Sequence, residues 1–254
     1  MNLKIQQFVI IVTLLIFSSC KEPSTILSKI NAKQVPIDST FIEVDSIEKF
    51  VAPYRNRVNQ VLDSALAYAP AVLTKEDGKY NTSAGNLMAD IVLKEANPIY
   101  KSRTGKDIDF VLLNHGGIRS AISKGNVSAR TAYEVMPFEN SVVVVELSGK
   151  SVLKMVEFLI HSNRAHPIAG MQIVINKKDE LQSIKIQGKV FDEKRNYYVA
   201  TSNYLVTGGD NMGFFKNMID ATDTDYLIRN AMIDHFKKAD TIHAEVDNRF
   251  YKIN

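Results

Sequence analysis

The chain has 254 residues, enough for one large domain or two small ones, and its hydrophobic content of 45% supports a substantial core. The formal net charge is only +3 and the basic residues are scattered, which excludes the clustered positive surface typical of proteins that bind nucleic acid polymers. A single cysteine excludes a disulfide within the chain.

Residues 1–19 are typical of a bacterial lipoprotein signal peptide. Lys4 supplies a positive charge, an apolar run covers 8–17, and the segment Ser-Ser-Cys follows at 18–20. The apolar run is too short for an ordinary membrane span. We expect Cys20 to carry a lipid that attaches the protein to a membrane of the bacterial cell envelope, facing the periplasm or the exterior. An ordinary signal peptide with a chance cysteine is the alternative.

Polar residues, serines and two prolines occupy 20–45 and predict a flexible tether before one folded domain at 46–254. Helices are predicted from Ser46, where the apolar spacing continues to Ala65, and at 86–96, 131–136, 149–160 and 225–237, the second ended by Asn97 and Pro98. Strands are predicted at 108–113, 141–147, 171–175, 181–186, 196–202 and 242–246, with the third and fourth forming a hairpin. This order favours an α+β fold with layered mixed sheets over a doubly wound parallel sheet.

A glycine pair and an arginine follow the strand at 108–113, in the segment Asn-His-Gly-Gly-Ile-Arg at 114–119. Glycines let backbone N–H groups approach a ligand closely. Arginine can bind a phosphate or carboxylate with two parallel hydrogen bonds. The segment therefore indicates a small anion site, although a glycine pair is also common in simple turns.

Three more segments accompany this loop in the same order along the chain. They are Thr-Ser-Ala-Gly-Asn-Leu-Met-Ala-Asp at 82–90, Met-Pro-Phe-Glu-Asn at 136–140 before a valine-rich strand, and Ser-Asn-Tyr-Leu-Val-Thr-Gly-Gly-Asp at 202–210. Together the four motifs resemble the C-terminal, substrate-binding domain of the 5'-nucleotidase and UDP-sugar hydrolase family, over about residues 45–250. The resemblance implies that family's mixed α+β fold and nucleotide recognition.

The chain departs from the family pattern at several positions. His115 replaces the first glycine of the loop, Ser83 and Ala84 replace Asn and Leu, no arginine directly precedes the first motif, and Tyr204 replaces a phenylalanine. The family's metallophosphoesterase domain is not recognisable: the chain has five histidines and no Asp-x-His, whereas two-metal hydrolysis needs a dense set of Asp, His and Asn ligands. We therefore expect no metal site and no cofactor in this chain, with divalent metals only on a partner catalytic domain.

The resemblance implies that a nucleotide base stacks between Phe138 and Tyr204 and that Asp210 accepts hydrogen bonds from the ribose hydroxyls. The alternatives are that both rings fill the core and that Asp210 caps its own turn. The resemblance also implies that Arg119 contacts the ribose-phosphate part of the nucleotide. The alternative is that Arg119 forms an ion pair on the surface.

The remaining residues of the implied site are polar side chains and loop glycines. Asn114 and Asn140 offer hydrogen-bond donors and acceptors, or else cap loops. His115 is expected to face solvent, and no role is assigned to His161 or His166. The backbone of the site's loops is expected to include four glycines, which are Gly116, Gly117, Gly208 and Gly209.

Two functions remain open from the sequence. In the first, the chain is the nucleotide-recognition half of a 5'-nucleotidase-type phosphohydrolase and works with a separate metallophosphoesterase protein. In the second, it is a non-catalytic, membrane-anchored lipoprotein that binds nucleotides or nucleosides. A third interpretation is a domain that has lost nucleotide binding and is retained for some other interaction. The presence of Arg119, Phe138 and Asp210 argues against it.

Overall fold

The computed structural model describes residues 3–17, 27–38, 40–42 and 44–253. The chain divides into two compact units, Met1–Phe50 and Val51–Asn254. The helices are α1 Leu3–Phe17, α2 Asp45–Asp63, α3 Ser83–Thr104, α4 Ala129–Val135, α5 Gly149–His161, α6 Asn203–Val206 and α7 Ile228–Lys238. The strands are β1 Ala65–Ala69, β2 Phe110–Leu112, β3 Gly125–Ser128, β4 Ser141–Ser148, β5 Ile168–Ala169, β6 Met171–Ile175, β7 Leu181–Ile186, β8 Lys189–Val190, β9 Asn196–Ser202, β10 Asp220–Leu227 and β11 Phe250–Lys252.

The first unit contains α1, which covers the apolar part of the predicted signal peptide. No helix among the described residues is long and apolar enough to cross a membrane. Cys20, the predicted lipidation position, lies outside the described residues. The division into signal peptide, tether and domain stays a prediction.

The second unit contains three sheets. Five strands form the central sheet in the order β10-β4-β9-β2-β5, in which β2 and β9 are parallel and the other neighbours are antiparallel. A four-stranded sheet has the order β11-β6-β7-β8, and β1 pairs with β3. The mixed-sheet α+β fold expected from the sequence is confirmed, as is the hairpin of β6 and β7.

Two hydrophobic clusters lie on the two faces of the central sheet. In β4, Val142 and Val144 belong to the cluster that includes α3 and α7. Val143 and Val145 belong to the other cluster, together with residues of α5 and of the β6–β7 hairpin. Because both faces of β4 are buried, the strand is a continuous valine run without polar alternation.

Several sequence-based boundaries are wrong. Helix α3 continues through Pro98 and ends at Thr104. The next residue, Gly105, caps it: its φ of 73° is left-handed and its N–H donates to the carbonyl of Lys101. The apolar spacing from Ser46 does not stay helical up to Ala65, where β1 begins.

The end of the chain also differs from expectation. The predicted helix at 225–237 begins later, at Ile228, because the ladder of β10 with β4 extends to the pair Leu227–Ser141. The predicted strand at 242–246 is absent from the described structure: only an isolated bridge between Tyr68 and Thr241 forms there. The strand in this region is β11, which pairs in parallel with β6.

Two buried asparagines connect the start of α3 to the C-terminal segment. Asn81 donates to the carbonyls of Asp247 and Phe250, and its Oδ1 accepts from the N–H of Asp247 at 2.9 Å. Asn86 donates to Asn81 at 2.7 Å and to the carbonyl of Glu245 at 2.8 Å. Side-chain amides thus satisfy backbone groups at 245–247, which are not in a strand, and the carbonyl of Phe250 at the start of β11.

Candidate functional site

Segments that are distant in sequence meet at one edge of the central sheet. Since β2 and β9 are parallel, the loops that follow them leave the same edge. Since β4 and β5 are antiparallel to these strands, the loops that precede them arrive at that edge. Four loops therefore lie next to one another at this edge of the central sheet, at 114–119, 203–210, 137–140 and 162–167.

These loops form a cleft with a cavity volume of about 360 Å³. All six side chains implied as substrate-binding line it, together with two of the four loop glycines and one residue not expected from the sequence. The lining residues are Asn114, Gly116, Gly117, Arg119, Phe138, Asn140, Arg164, Tyr204 and Asp210. The volume is at the lower end of the range for small-molecule sites.

The carboxylate of Asp210 is held from two sides. Asn114 Nδ2 donates to one oxygen at 2.8 Å and the hydroxyl of Tyr204 donates to the other at 3.2 Å. Asp210 has a left-handed backbone, with φ of 50°, inside a short turn at Gly209–Asn211. The turn thus directs the carboxylate toward side chains of the cleft.

Two glycines let the aromatic and amide side chains approach the backbone. A Cβ on Gly209 would lie 2.4 Å from the ring of Tyr204, and one on Gly117 would lie 3.0 Å from Asn114 Oδ1. Gly208 has φ of 99°, a left-handed conformation that favours glycine. Here the glycines accommodate the protein's own side chains.

Both predicted stacking rings face the cleft and lie outside the core. Phe138 is 41% exposed and Tyr204 is 43% exposed. The guanidinium of Arg119 lies 5.9 Å from the centre of the Phe138 ring and donates only a long hydrogen bond, 3.4 Å, to the carbonyl of Gly116. Within the described residues Arg119 forms no ion pair, so the surface-pair alternative has no support.

Arg229, at the start of α7, supports the loop that carries Phe138. Its guanidinium donates to the carbonyls of Pro137 and Phe138, pairs with Glu139 and lies 4.2 Å from the centre of the Tyr133 ring. The side chain is almost fully buried, at 5% exposure.

A second support reaches the same loop from the backbone of α7. The N–H of Ile228 donates to the carbonyl of Asn140 at 3.0 Å. Sequence reasoning missed the role of Arg229, because its contacts span about 90 residues and no local pattern marks them.

Two histidines connect the loop at 162–167 to the loop at 114–119. His166 Nδ1 accepts from the N–H of His115 at 3.3 Å, and its Nε2 lies 3.0 Å from Ser162 Oγ. The ring of His115 contacts the carbonyl of Ala165 at 3.3 Å and lies 3.8 Å from a carboxylate oxygen of Glu76. The expectation that His115 faces solvent is wrong, since only 14% of its side chain is exposed.

Burial lowers the pKa of the His166 imidazole to about 4, while nearby Asp210 raises it and His115 and Arg164 lower it further. The ring is therefore neutral near pH 7. A neutral ring can accept from His115 at Nδ1 while it donates from Nε2 to Ser162.

The residues of the cleft do not fit the metal pair of a two-metal hydrolase. Within the described ranges no group of three or more His, Cys, Asp or Glu side chains is arranged to hold a metal ion. Asp210 is the one carboxylate among the described residues that line the cleft, and no histidine lines it.

The depressed pKa of His166 predicts a loss of stability in acid. Between about pH 6.5 and pH 4 the unfolded chain binds a proton at His166 that the folded chain does not, so the unfolding free energy falls as pH falls. Relative to His166→Gln, the wild type should lose about 2 kcal/mol between about pH 7.5 and about pH 4.5. Denaturant unfolding at several pH values measures this difference.

His161→Gln is the matched control, because His161 is exposed and, among the described residues, its ring hydrogen-bonds to the carbonyl of Glu157 one helical turn earlier and forms no ion pair. It should show the wild-type pH dependence. If the unfolding free energies of the wild type and of His166→Gln changed equally with pH, the conclusion that burial lowers the pKa of His166 would be contradicted.

Comparisons with known proteins agree on one family. A family profile described as "5'-nucleotidase, C-terminal domain" matches residues 65–217. The chain is 29% identical to Protein UshA of Escherichia coli over 147 residues, which cover 57% of this chain and 26% of that protein. It is 26% identical over 248 residues to the trifunctional nucleotide phosphoesterase protein YfkN of Bacillus subtilis, covering 89% of this chain and 16% of YfkN.

Solved structures show the same fold. A 5'-nucleotidase precursor from Thermus thermophilus superposes with a TM-score of 0.68 at 23% identity, covering 82% of this chain and 43% of that one. The NAD nucleotidase of Haemophilus influenzae gives a TM-score of 0.62 at 18% identity, with 82% and 42% coverage. The chain spans about a quarter or less of the two curated relatives and less than half of these structures. The chain belongs to the 5'-nucleotidase C-terminal domain family.

Proposed function

We propose that the chain binds a nucleotide or nucleoside in the cleft and acts as the substrate-recognition half of a 5'-nucleotidase-type phosphohydrolase. The observation that carries this is the cleft itself: two half-exposed aromatic rings, a hydrogen-bonded carboxylate and a guanidinium without an ion pair among the described residues lie in one cavity. In this proposal the base stacks between Phe138 and Tyr204, and the ribose hydroxyls donate to Asp210.

The polar residues complete the proposed binding mode. Arg119 binds the phosphate from the side of Phe138, and Asn114 and Asn140 offer amide groups to the ligand. Each oxygen of Asp210 keeps a further lone pair after its bond from Asn114 or Tyr204, so the ribose can add its own hydrogen bonds.

Binding to the full chain tests this proposal. Removing one stacking ring should cost roughly 1–3 kcal/mol, so Phe138→Ala should weaken binding about tenfold or more. Asp210→Ala should cost about 1.5–3 kcal/mol because a charge-assisted hydrogen bond is lost. Calorimetry or ligand-observed NMR up to millimolar nucleoside or nucleotide measures both effects.

Tyr68→Ala is the matched control, because Tyr68 is 42% exposed on β1 and does not line the cleft. It should bind like the wild type. Binding that is indifferent to both Phe138→Ala and Asp210→Ala would remove the proposed function and leave the fold assignment in place.

We propose further that a separate metallophosphoesterase protein supplies the metals and the hydrolysis. The side chains of this chain support this, since none of its five histidines belongs to an Asp-x-His motif and, among the described residues, no group of three or more His, Cys, Asp or Glu side chains is arranged to hold a metal ion. The full chain with divalent metal alone should release no phosphate from nucleoside monophosphates, whereas addition of the catalytic protein should restore release.

The measurement is the rate of phosphate release. As a control, the Asp210→Ala variant combined with the same catalytic protein should release phosphate more slowly than the wild type does. Metal-dependent release by the chain alone that is lost in Asp210→Ala would contradict the two-protein arrangement. It would also exclude the second candidate, a lipoprotein that only binds nucleotides.

The proposed location is the bacterial cell envelope, with a lipid on Cys20. The signal segment that ends in Ser-Ser-Cys at 18–20 supports it. Cys20→Ala should move the protein from the membrane fraction to the soluble fraction, whereas the wild type stays with membranes. Unchanged fractionation of the variant would mean that something other than this lipid holds the protein.

A further inference from the structure

The backbone sets the position of the Phe138 ring, because the hydrophobic core does not hold it. The ring is 41% exposed and, among the described residues, Phe138 belongs to neither of the two hydrophobic clusters. The backbone is anchored on each side of it. The N–H of Arg119 donates to the carbonyl of Val135 at 2.8 Å, and the N–H of Ile228 donates to that of Asn140 at 3.0 Å. The ring lies on the short segment between these two anchors.

One buried side chain, that of Arg229, contacts both peptide planes that flank the Cα of Phe138. Its Nη1 donates to the carbonyl of Pro137 at 3.1 Å and to the carbonyl of Phe138 at 3.3 Å. The first carbonyl lies in the peptide plane before the Cα of Phe138, and the second lies in the plane after it. Because both carbonyls face the same nitrogen, the two backbone dihedrals of Phe138 are restricted. The direction in which the ring leaves the chain is restricted with them.

Arg229 is itself held on its other sides. Its Nη2 pairs with the carboxylate of Glu139, and its guanidinium lies 4.2 Å from the centre of the Tyr133 ring, within the range of a cation–π contact. Only 5% of the side chain is exposed, so the guanidinium has little room to turn away. Arg229 is therefore a fixed point against which the loop of Phe138 is oriented.

Fold stability alone does not account for a guanidinium buried at this place. Burying a charge is costly, and replacing a buried ionic pair by apolar side chains of similar volume is often neutral for stability. The cost is only partly compensated here. The Nε of Arg229 is buried without a hydrogen-bond partner among the described residues, and the paired carboxylate of Glu139 is 76% exposed. Orientation of the Phe138 backbone is what the buried guanidinium provides.

We propose that Arg229 is a positioning residue for nucleotide recognition, which orients the Phe138 ring for stacking on the base without contacting the ligand itself. The inference rests on the proposed function of the cleft. Arg229 does not line the cleft, and it lies outside the segment matched by the family profile, 65–217. A ring that is already oriented loses less freedom when a base stacks on it.

The first test needs no ligand. The chain contains no tryptophan, so Phe138→Trp introduces a single indole at the position of the ring. The fluorescence anisotropy of this indole reports how freely the ring moves. Arg229→Met, which removes every donor and keeps an unbranched side chain, should lower the anisotropy when combined with Phe138→Trp, because the two peptide planes lose their common donor. Unchanged anisotropy would overturn the proposal.

Arg103→Met is the matched control. The Arg103 guanidinium also donates to a backbone carbonyl, that of Asp223, and pairs with the carboxylate of Asp225, but it does not line the cleft. This variant should leave the anisotropy of Phe138→Trp unchanged. Circular dichroism checks that each variant is folded. If Arg229→Met does not fold, Arg229→Lys takes its place under the same criterion, since lysine keeps the charge and lacks the planar fork of donors.

The second test asks whether Arg229 acts on binding through Phe138. Adenosine is titrated into the full-length wild type, Arg229→Met, Phe138→Ala and the double variant. Arg229→Met should weaken binding about threefold to tenfold, because the ring must then be ordered when the base stacks on it. In the Phe138→Ala background the same change should alter binding less than about twofold.

A role confined to folding would instead reduce the fraction of chains that bind, which the stoichiometry of the titration reports separately from the affinity. Equal weakening by Arg229→Met in both backgrounds would overturn the proposal, because the effect would not pass through the ring. Unchanged affinity in the wild-type background would overturn it as well.

The two tests separate this inference from the proposed function. If Phe138→Ala weakens adenosine binding while Arg229→Met leaves affinity and anisotropy unchanged, nucleotide recognition stands and the role of Arg229 is wrong. If the wild type binds no adenosine, the proposed function is wrong, and the role of Arg229 in recognition is wrong with it, whatever the anisotropy shows.

Discussion

The cleft depends on the parallel pairing of β2 with β9 inside an otherwise antiparallel sheet. Parallel neighbours send their carboxyl ends to the same edge, so the loops bearing Asn114 and Asp210 become adjacent although they lie 96 residues apart in the chain. The antiparallel strands on either side add two loops that enter at this edge. Without that one parallel pair, the four loops have no common edge at which to meet.

Several side chains and carbonyls of the cleft are held in place by hydrogen bonds within the protein. Asp210 is bound by Asn114 and Tyr204, and Gly209 allows the tyrosine ring to lie against the backbone. Arg229 holds the carbonyls of Pro137 and Phe138. Preorganised groups of this kind do not have to be ordered when a ligand binds.

The sequence predicted this site well where short motifs carried the information. Loop residues such as Phe138 and Asp210 lie next to prolines and glycines, whose backbone preferences are local, and the structure brings them into one cleft. A continuous apolar run likewise predicted β4, because a strand buried on both faces needs no alternation. What the sequence did not reveal depends on distant contacts. Arg164 and Arg229 look like ordinary charged residues until the sheet brings their loops to the cleft. Helix α3 passes Pro98 because packing against β2, β5 and α7 outweighs the local stop signal, a tertiary effect that no window of sequence contains.

The hydrogen bonds of Asn81 have a consequence for how the chain folds. They join residues separated by 166 and 169 positions, and β11 completes its sheet only with Phe250–Lys252. Contacts of such long range close late and slow the search for the native state. A chain that stops before β11 lacks the carbonyl of Phe250 to which Asn81 donates. The start of α3 therefore acquires its full set of native hydrogen bonds only after Phe250 has been made.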